Sequence, residues 1–367
     1  MRPRDIEPRH IAAAMGLSLG KAWELAKHFE CCYKPERKQR VGRKTRVIDP
    51  LYRVPKRWLR RLHRWIQEQG LFHPRAHGGV RRRSCFTSAT VHAGARCIWT
   101  RDASDCYPSV TPDAFIRELW CLGFRYDTAK LLTLLCTVRG RLPQGSPISC
   151  DALNLFFWRL DQSVASAAGS GGLRYSRVAD DFVLSGKAGG AGEAIASRIE
   201  NELGNRGIRV NEKKKANGGF QSSSEDRRVH GISVSKRRGT AINREQAAQA
   251  RKLADSYLAA SKSVSCETIQ ALGQKRLSLA GWMYYCRQAD FSPAKEIRQK
   301  LEAGDRRVLR KLRSLGITVN KNKWWLMSAK ANEPRRLATL WKRRSDRSRR
   351  EAEFSSENGV TAVLTER

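Results

Sequence analysis

The chain has 367 residues, of which 71 are Lys or Arg and 35 are Asp or Glu, so its formal net charge at pH 7 is +36. This length can bury at least one sizeable core and predicts two or three lobes rather than one small module. The charge exceeds what solubility needs and repels itself unless a polyanion shares it, so nucleic acid is the first partner to consider.

The same composition disfavours other classes of protein. The sequence has no apolar run of the roughly 20 residues that a membrane-spanning helix needs, and its start, Met-Arg-Pro-Arg-Asp, is unlike a secretory signal. We therefore expect a cytoplasmic protein without a membrane partner. The ten cysteines form no CxxC pair and no Cys/His cluster at zinc spacing, which indicates reduced, mostly buried thiols.

The N-terminal elements are mainly helical. Two short helices are predicted over residues 10–15 and 20–29, with a hinge at 16–18. Their spacing is that of a DNA-binding helix-turn-helix, but the pattern is short and generic, and a packed cap is favoured. A basic, turn-rich stretch over 34–46 precedes a basic amphipathic helix over 54–69, whose charged face either binds nucleic acid or is solvated.

The middle of the chain mixes both kinds of element. From residue 97 to about 234, strand-like runs such as 97–99 and 182–184 alternate with helical stretches such as 113–122 and 192–203, which predicts an α+β region. Beyond it, helices are predicted over 247–260 and 265–287, and another begins at Ser292-Pro293. Residues 331–367 are basic, poor in core residues and predicted to be partly disordered.

Three aspartates carry the chemical signal. Asp180 and Asp181 lie between strand-forming residues and reach one site together only at a turn, where two carboxylates need a cation. By itself the pair is more often ordinary turn chemistry. Asp102, just after a short apolar strand, adds a third acid. Carboxylates of this kind can hold two Mg²⁺ ions about 4 Å apart, which activate a 3′-hydroxyl and stabilise leaving pyrophosphate.

Three ordered segments carry a resemblance to a known family. Asp102 with Tyr107-Pro108-Ser109, the run Leu-Pro-Gln-Gly-Ser-Pro-Ile-Ser over 142–149, and Ala179-Asp180-Asp181 resemble the three central motifs of reverse transcriptases, in order and at family spacing. Residues 46–50 and 77–84 are similar to the fingers motifs, 211–214 to the motif after the catalytic hairpin, and 229–231 to the entry of the thumb. The resemblance covers about residues 30 to 300.

Within that family the chain resembles the bacterial retron type. Residues 88–92, Ser-Ala-Thr-Val-His, are similar to the signature Asn-Ala-x-x-His, and 229–231, Val-His-Gly, to Val-Thr-Gly. The resemblance implies an α+β right-hand polymerase fold with fingers, a palm of antiparallel sheet with packed helices, and a helical thumb. Cap and fingers would span 1–96, the palm 97–235 with an inserted fingers segment at about 120–142, the thumb 236–330, and the tail 331–367.

The resemblance also implies an activity and its partners. The protein would be an RNA-directed DNA polymerase that uses dNTPs to copy a structured noncoding RNA, which serves as template and supplies a 2′-hydroxyl as primer, into a DNA product. It would act in defence against phage, with an effector protein as a further partner. The implied catalytic residues and metal ligands are Asp102 and Asp180, supported by Asp181; they would hold two Mg²⁺ ions, for which Mn²⁺ can substitute.

Four further residues match positions that bind substrate. Tyr107 would lie under the incoming sugar and leave no room for a 2′-hydroxyl, although core packing is an alternative. Gln144, on a bent segment, would serve the sugar hydroxyl or the template. Arg83 would bind the triphosphate and Lys214 would neutralise or protonate pyrophosphate, with merely solvated side chains as the alternative. Val178 stands where the family usually has Tyr, so the ring that braces the primer end is missing.

RNA-binding residues are the least determined by the motifs. His92 either contacts RNA or is a structural histidine. Sequence-independent, salt-sensitive phosphate contacts are expected from a cationic cluster in the C-terminal third, formed by Arg306, Arg307, Arg310 and Lys311. Trp324-Trp325 would either stack on bases or be buried in a core, and burial is favoured.

Two other functions stay open at this stage. One is a group II intron-type or other defence reverse transcriptase, although the segment after the thumb is short for a maturase with a nuclease domain. The other is a catalytically silent RNA-binding scaffold. The intact acids and Gln144 favour an active enzyme over that scaffold.

Overall fold

The computed structural model describes most of the chain: residues 1–41, 44–187, 190–216, 219–222, 226–235, 241–242, 244–265, 267–286, 294–314, 317 and 324. It divides into two compact units, Met1–Thr240 and Ala241–Arg367. The proposed tail 331–367, the helix start at Ser292-Pro293 and Trp325 lie outside the described residues.

The first unit begins with the predicted helix pair. Helix α1 spans Pro8–Met15 and α2 spans Leu19–Lys27. Ser18 caps α2 by accepting a hydrogen bond of 3.4 Å from the Lys21 amide. Ile11 and Met15 are buried, and α1 packs against α3, Arg53–Glu68. The pair therefore forms a packed cap, as the sequence favoured.

Helix α3 buries one stripe and exposes the other. Leu59, Leu62 and Ile66 recur at helical spacing and are buried, whereas Arg57 and Arg60 are exposed. Before α3, the strands β1, Arg37–Val41, and β2, Lys44–Ile48, form an antiparallel hairpin.

A four-stranded antiparallel sheet lies at the centre of the unit, in the order β4-β5-β3-β6. Its strands are β3, Cys97–Asp102; β4, Arg174–Val178; β5, Asp181–Gly186; and β6, Phe220–Gln221. The helices of this region are α4, Cys85–Val91; α5, Cys106–Ser109; α6, Pro112–Cys121; α7, Tyr126–Cys136; α8, Ser149–Phe156; α9, Trp158–Ser170; α10, Gly190–Gly204; and α11, Glu212–Ala216. Helices α4 and α9 pack on β4, and α10 packs on β3 and β5.

The short strands β7, Arg228–Val229, and β8, Ile232–Ser233, form a hairpin. The predicted α+β class is confirmed.

The second unit has three long helices in its described part. They are α12, Arg244–Ala260; α13, Ile269–Cys286; and α14, Ala294–Ser314, preceded by the short strand β9, Ala241–Ile242. Helix α14 buries Ile297, Leu301, Val308 and Leu312 along one stripe. Trp324 is buried in the same core, and its Nε1 donates to Asp305 at 3.2 Å, so burial rather than base stacking describes this tryptophan. None of the described helices has the length and apolar character needed to cross a membrane.

Candidate active site

The turn between β4 and β5 contains only one of the two neighbouring aspartates. Val178 pairs with Asp181, so the turn consists of Ala179 and Asp180, and Asp181 is already in the strand. Ala179 has a left-handed φ of +53°, a conformation that is strained for a residue with a side chain. Two hydrogen bonds hold it: Arg177 Nη1 donates to the Ala179 carbonyl at 2.7 Å, and the Ala103 amide donates to the Asp180 carbonyl at 3.0 Å.

A second segment packs closely against this turn. The His77 amide donates to the Arg177 carbonyl at 2.7 Å, which brings Gly78 next to the turn. A Cβ atom on Gly78 would lie 2.4 Å from the Ala179 amide nitrogen, so only glycine fits there. The segment that resembles a fingers motif is thereby fixed beside the catalytic hairpin.

The register of β3 against β5 brings two of the three predicted aspartates together. Asp102 is the cross-strand partner of Asp181. Directly opposed residues of antiparallel strands project to the same face of the sheet, so their carboxylates approach each other. The motifs imply that Asp102 and Asp180 are the primary metal ligands, supported by Asp181. The structure makes Asp181 the cross-strand partner of Asp102 and places Asp180 in the turn, and the assignment of the metal ligands stays a prediction.

Two residues of the segment after α10 complete the site. Lys214 Nζ lies 2.5 Å from Asp102 Oδ1 and 3.2 Å from Asp181 Oδ1. Asn211 donates through Nδ2 to Asp102 Oδ2 at 2.9 Å, and its Oδ1 accepts from the Lys214 amide at 3.3 Å. The ammonium group of Lys214 thus offsets one of the two negative charges of the carboxylate pair. Asn211 belongs to the segment 211–214, but its contact with Asp102 was not predicted from the sequence.

The electrostatics of the pair show the cost of holding two carboxylates together. Asp102 is only 7% exposed. Burial, and then its contact with Asp181, raise the pKa of Asp102 to about 6 despite Lys214. Burial and the charge of Asp181 also raise the pKa of Asp180. Burial acts to raise the pKa of Asp181 too, but its contacts with His230 and Asp102 and the charge of Lys214 outweigh it and lower that pKa.

This donor set fits a hard divalent cation. Two touching carboxylates that cannot both ionise freely, with a third carboxylate in the adjoining turn, supply the oxygen ligands that Mg²⁺ prefers. Across the described ranges, no three His, Cys, Asp or Glu side chains are grouped closely enough to hold a metal by themselves. A shared site for protein carboxylates and substrate phosphates is consistent with that arrangement.

Tyr107 is beside the aspartates. It lies on α5, and its hydroxyl is 3.2 Å from Cys150 Sγ at the start of α8. Burial, followed by the influence of Cys150 and Asp180, raises the pKa of the Tyr107 phenol, so it stays protonated. Cys150 also restricts the position of Gly79, because a Cβ on Gly79 would lie 2.7 Å from Cys150 Cβ and a larger side chain has no room.

The Gln144 segment is fixed by a buried carboxylate that the sequence analysis missed. Asp49, fully buried at the end of β2, accepts from the Gln144 amide at 3.1 Å, and its own amide donates to the Gln144 carbonyl at 2.8 Å. Arg139 and Arg141 neutralise it at 3.1 and 3.2 Å. Asp49 lies in the segment 46–50. The sequence signal available for it was an acid that directly follows apolar residues and precedes Pro50.

Two of the predicted residues are held by hydrogen bonds within the protein. Arg83 Nη1 donates to the carbonyls of His73 and Ala76, both at 2.8 Å, and so fixes the loop before it; a triphosphate contact stays a prediction. His92 is fully buried, and both ring nitrogens lie 2.7 Å from serine hydroxyls. The RNA contact considered for His92 is therefore corrected: no ring atom is exposed to a ligand.

Three of the four residues in the predicted cationic cluster of the second unit line one cavity, and the fourth lies outside it. Arg307, Arg310 and Lys311 line a cavity of about 630 Å³, which Lys262 and three serines also line. No carboxylate belongs to this lining. Arg306 is exposed on α14 but does not line the cavity.

A buried ion pair beneath the hairpin was also missed. Arg177 and Asp161 are both fully buried and bonded at 2.8 Å and 2.7 Å through Nε and Nη2. The Tyr175 hydroxyl donates to the same carboxylate at 2.6 Å. A charged residue in an alternating strand was the only sequence signal for this pair.

Comparison with known proteins identifies the family of the chain. Residues 37–227, just over half of the chain, match the family model described as reverse transcriptase (RNA-dependent DNA polymerase). The chain is 32% identical over 200 residues to "Retron Ec86 reverse transcriptase" of Escherichia coli, covering 52% of this chain and 60% of that protein. It is 30% identical over 269 residues to "Retron Mx65 reverse transcriptase" of Myxococcus xanthus, covering 64% of this chain and 59% of that protein. The match thus spans about 60% of the length of these relatives.

Among solved structures, telomerase from Candida tropicalis, in complex with a fragment of telomeric RNA, matches with a TM-score of 0.43 and 9% identity. That match covers 90% of this chain and 66% of telomerase. A structural match with this TM-score and identity supports no conclusion about function.

The chain belongs to the reverse transcriptase (RNA-dependent DNA polymerase) family. The curated proteins that it matches are named retron reverse transcriptases. The resemblance stated from the motifs is confirmed.

Proposed function

We propose that the protein is an RNA-directed DNA polymerase that extends a primer with dNTPs. The observation that carries the proposal is the cross-strand pair of Asp102 and Asp181, with Lys214 bound to both carboxylates and Asn211 bound to one. Two abutting acids at a hairpin, with one lysine that offsets only one of their charges, are costly unless the site serves a cation and a polyphosphate.

The chain's own residues have separable tasks in this reaction. Asp102 and Asp181, with Asp180 from the turn, would hold two Mg²⁺ ions, or Mn²⁺ in their place. When bound, such ions activate the primer hydroxyl and stabilise the pyrophosphate. With substrate bound, the ammonium group of Lys214 would neutralise charge on the phosphates or donate a proton to the pyrophosphate.

Tyr107 gives a prediction about the sugar. Because its ring packs beside Cys150 next to the aspartates, replacing it by Ala opens space for a 2′-hydroxyl. We expect Tyr107→Ala to raise the ratio of NTP to dNTP incorporation by roughly 100-fold. Primer extension with each nucleotide type measures the ratio. Tyr107→Phe, which keeps the ring, is the control; an unchanged ratio in the Ala variant would refute the assignment.

Metal binding should depend on pH. The pKa of Asp102 is raised to about 6, so in the metal-free protein this acid stabilises the fold at low pH and loses that contribution as pH rises through 6. A divalent ion must displace the proton below pH 6, and its apparent affinity should fall about tenfold per pH unit there. We expect Mg²⁺ to raise the melting temperature clearly at pH 7.5 and little at pH 5. Asp102→Asn should abolish that difference.

The cavity on the second unit should bind RNA phosphates. Arg310→Gln with Lys311→Gln is expected to lower the slope of log affinity against log salt by about 1.5 units, since each contact contributes roughly 0.7–0.9. RNA binding at several salt concentrations gives the slope. Lys295→Gln with Arg298→Gln removes the same charge from α14 outside the cavity and is the matched control. Equal changes in both variants would show that only net charge matters.

The finer parts of the proposal draw on the relatives, which are named retron reverse transcriptases. On that basis the template is a structured noncoding RNA, a 2′-hydroxyl of that RNA is the primer, and the role is defence against phage in the cytoplasm, together with an effector protein. The thumb and fingers boundaries given above are proposed on the same basis.

Primer extension on an RNA template with dNTPs and Mg²⁺ tests the activity. Failure of the wild-type protein to incorporate dNTPs, with RNA binding intact, would favour the scaffold function. Sequencing of co-purified nucleic acid tests the primer: a covalent RNA-DNA hybrid supports the retron reaction, and DNA without that linkage favours another reverse transcriptase type.

A further inference from the structure

A continuous chain of polar side chains runs through the interior of the first unit to the catalytic hairpin. It starts at β5, where Ser185 Oγ lies 2.7 Å from His92 Nδ1. His92 Nε2 lies 2.7 Å from Ser176 Oγ on β4. All three residues are fully buried, so no bulk water competes for these bonds. In order, the members of the chain are Ser185, His92, Ser176, Ser88, His230 and Asp181.

The outer half of the chain reaches a proposed metal ligand. Ser88 Oγ lies 2.7 Å from Ser176 Oγ and 3.0 Å from His230 Nε2. His230 Nδ1 lies 3.8 Å from Asp181 Oδ2, an electrostatic contact slightly longer than a hydrogen bond. The two segments that resemble retron motifs, 88–92 and 229–231, meet here.

The contact of His230 with Asp181 is made from an unusual backbone conformation. His230 and Gly231 form the two-residue turn between β7 and β8, with φ of +51° and +78°. Positive φ at both positions favours Asn-Gly, so a histidine is strained there. Its side chain is nevertheless only 8% exposed, directed inward between Ser88 and Asp181.

The carboxylate at one end favours one order of the protons in the chain. The negative charge of Asp181, 3.8 Å away, favours the tautomer with the hydrogen on His230 Nδ1, in which Nε2 accepts from the Ser88 hydroxyl. Ser88 then accepts from Ser176, which accepts from His92 Nε2. His92 Nδ1 accepts from Ser185. Burial lowers the pKa of His92 to about 3, which keeps its ring neutral as this order requires.

We propose that His230 is a positioning residue for Asp181, and that Ser88, Ser176 and His92 hold its imidazole in the Nδ1-H tautomer. The imidazole keeps the Asp181 carboxylate turned toward Asp102, ready to receive a cation. The catalytic consequence rests on the proposed polymerase function, whereas the tautomers and the metal affinity do not.

Nitrogen NMR of the full-length protein tests the proton order directly. The ¹⁵N shifts of the ring nitrogens are expected to show Nδ1-H at His230 and Nε2-H at His92, with signals assigned by their loss in His230→Asn and His92→Gln. The reverse tautomer at either histidine would overturn the proposal. This measurement needs neither metal nor substrate.

Metal affinity tests the positioning role. Calorimetric titration with Mn²⁺ is expected to show a loss of about tenfold in His230→Ala and in Ser88→Ala, the size typical of groups that orient metal ligands. His230→Asn keeps an N-H donor near the Nδ1 position and suits the left-handed backbone, so it should stay within about threefold of wild type.

The matched control is Thr128→Ala. Thr128 is fully buried in the same unit and its hydroxyl donates to the Ile6 carbonyl at 2.9 Å, away from the site. It should lower the melting temperature as Ser88→Ala does, without changing Mn²⁺ affinity. Wild-type affinity in His230→Ala, or equal losses in Ser88→Ala and Thr128→Ala, would overturn the proposal. Wild-type protein that binds Mn²⁺ but extends no primer would instead refute the polymerase function.

Discussion

Asp181→Asn is expected to reduce primer extension on an RNA template by about 1,000-fold or more. The substitution keeps the shape of the side chain and removes the charge that faces Asp102 across the sheet. Several kcal/mol of charge stabilisation at the reacting groups corresponds to a loss of this size. Single-nucleotide incorporation under saturating dNTP and Mg²⁺ measures it, and Asp102→Asn should behave alike.

A nearby aspartate supplies the matched control. Asp105 is exposed, lies three residues after Asp102 and has a left-handed φ of +45°, which Asn also adopts readily. Asp105→Asn removes one negative charge close to the site without touching the carboxylate pair, so activity should stay within about threefold of wild type. More than a tenth of wild-type activity in Asp181→Asn would contradict its role as a metal ligand.

Asp161→Asn is expected to lower the free energy of unfolding by about 3–5 kcal/mol, because it leaves the fully buried Arg177 guanidinium without its counter-charge. The Tyr175 hydroxyl, which donates to the same carboxylate at 2.6 Å, is then left with a weaker, uncharged amide acceptor. Chemical denaturation followed by circular dichroism measures the change. Asp5→Asn, which removes an exposed partner of Arg2, should leave the unfolding midpoint close to that of the parent.

A double variant separates stability from function at this pair. Arg177→Met with Asp161→Leu removes both charges and should recover much of the lost stability, since apolar replacements of buried ion pairs are often neutral. It also removes the 2.7 Å bond from Arg177 to the Ala179 carbonyl, which holds the catalytic turn. We therefore expect a stable protein with reduced primer extension. A change below about 1 kcal/mol in Asp161→Asn would show that water or another group replaces the carboxylate.

Helix positions followed from the sequence wherever apolar residues recur at helical spacing. Helix α3 was predicted over 54–69 and spans Arg53–Glu68, because Leu59, Leu62 and Ile66 mark one buried stripe. The register of the hairpin between β4 and β5 was not predicted from the sequence. Asp is common in turns, and local preference alone could not show that cross-strand pairing of Val178 with Asp181 leaves Ala179 in the turn.

The role of a buried polar residue depends on residues far away in the chain. The motif left His92 open between an RNA contact and a structural role, and its partners prove to be Ser176 and Ser185, more than 80 positions later. The Asp49 contact with Gln144 has the same origin. No spacing rule covers such pairs, because the sheet and the helices packed on it decide which side chains meet.

By itself, the sequence determined the class of this protein: a strongly basic chain with Asp102, the Gln144 segment and Asp180-Asp181 in the order of reverse transcriptases. Those features are local, since motif order and charge do not depend on packing. Only the tertiary structure decided that Asp181 rather than Asp180 faces Asp102, that Lys214 binds both carboxylates, and that His230 is turned toward Asp181. Strand register and burial set these contacts, and both result from the packing of the whole first unit.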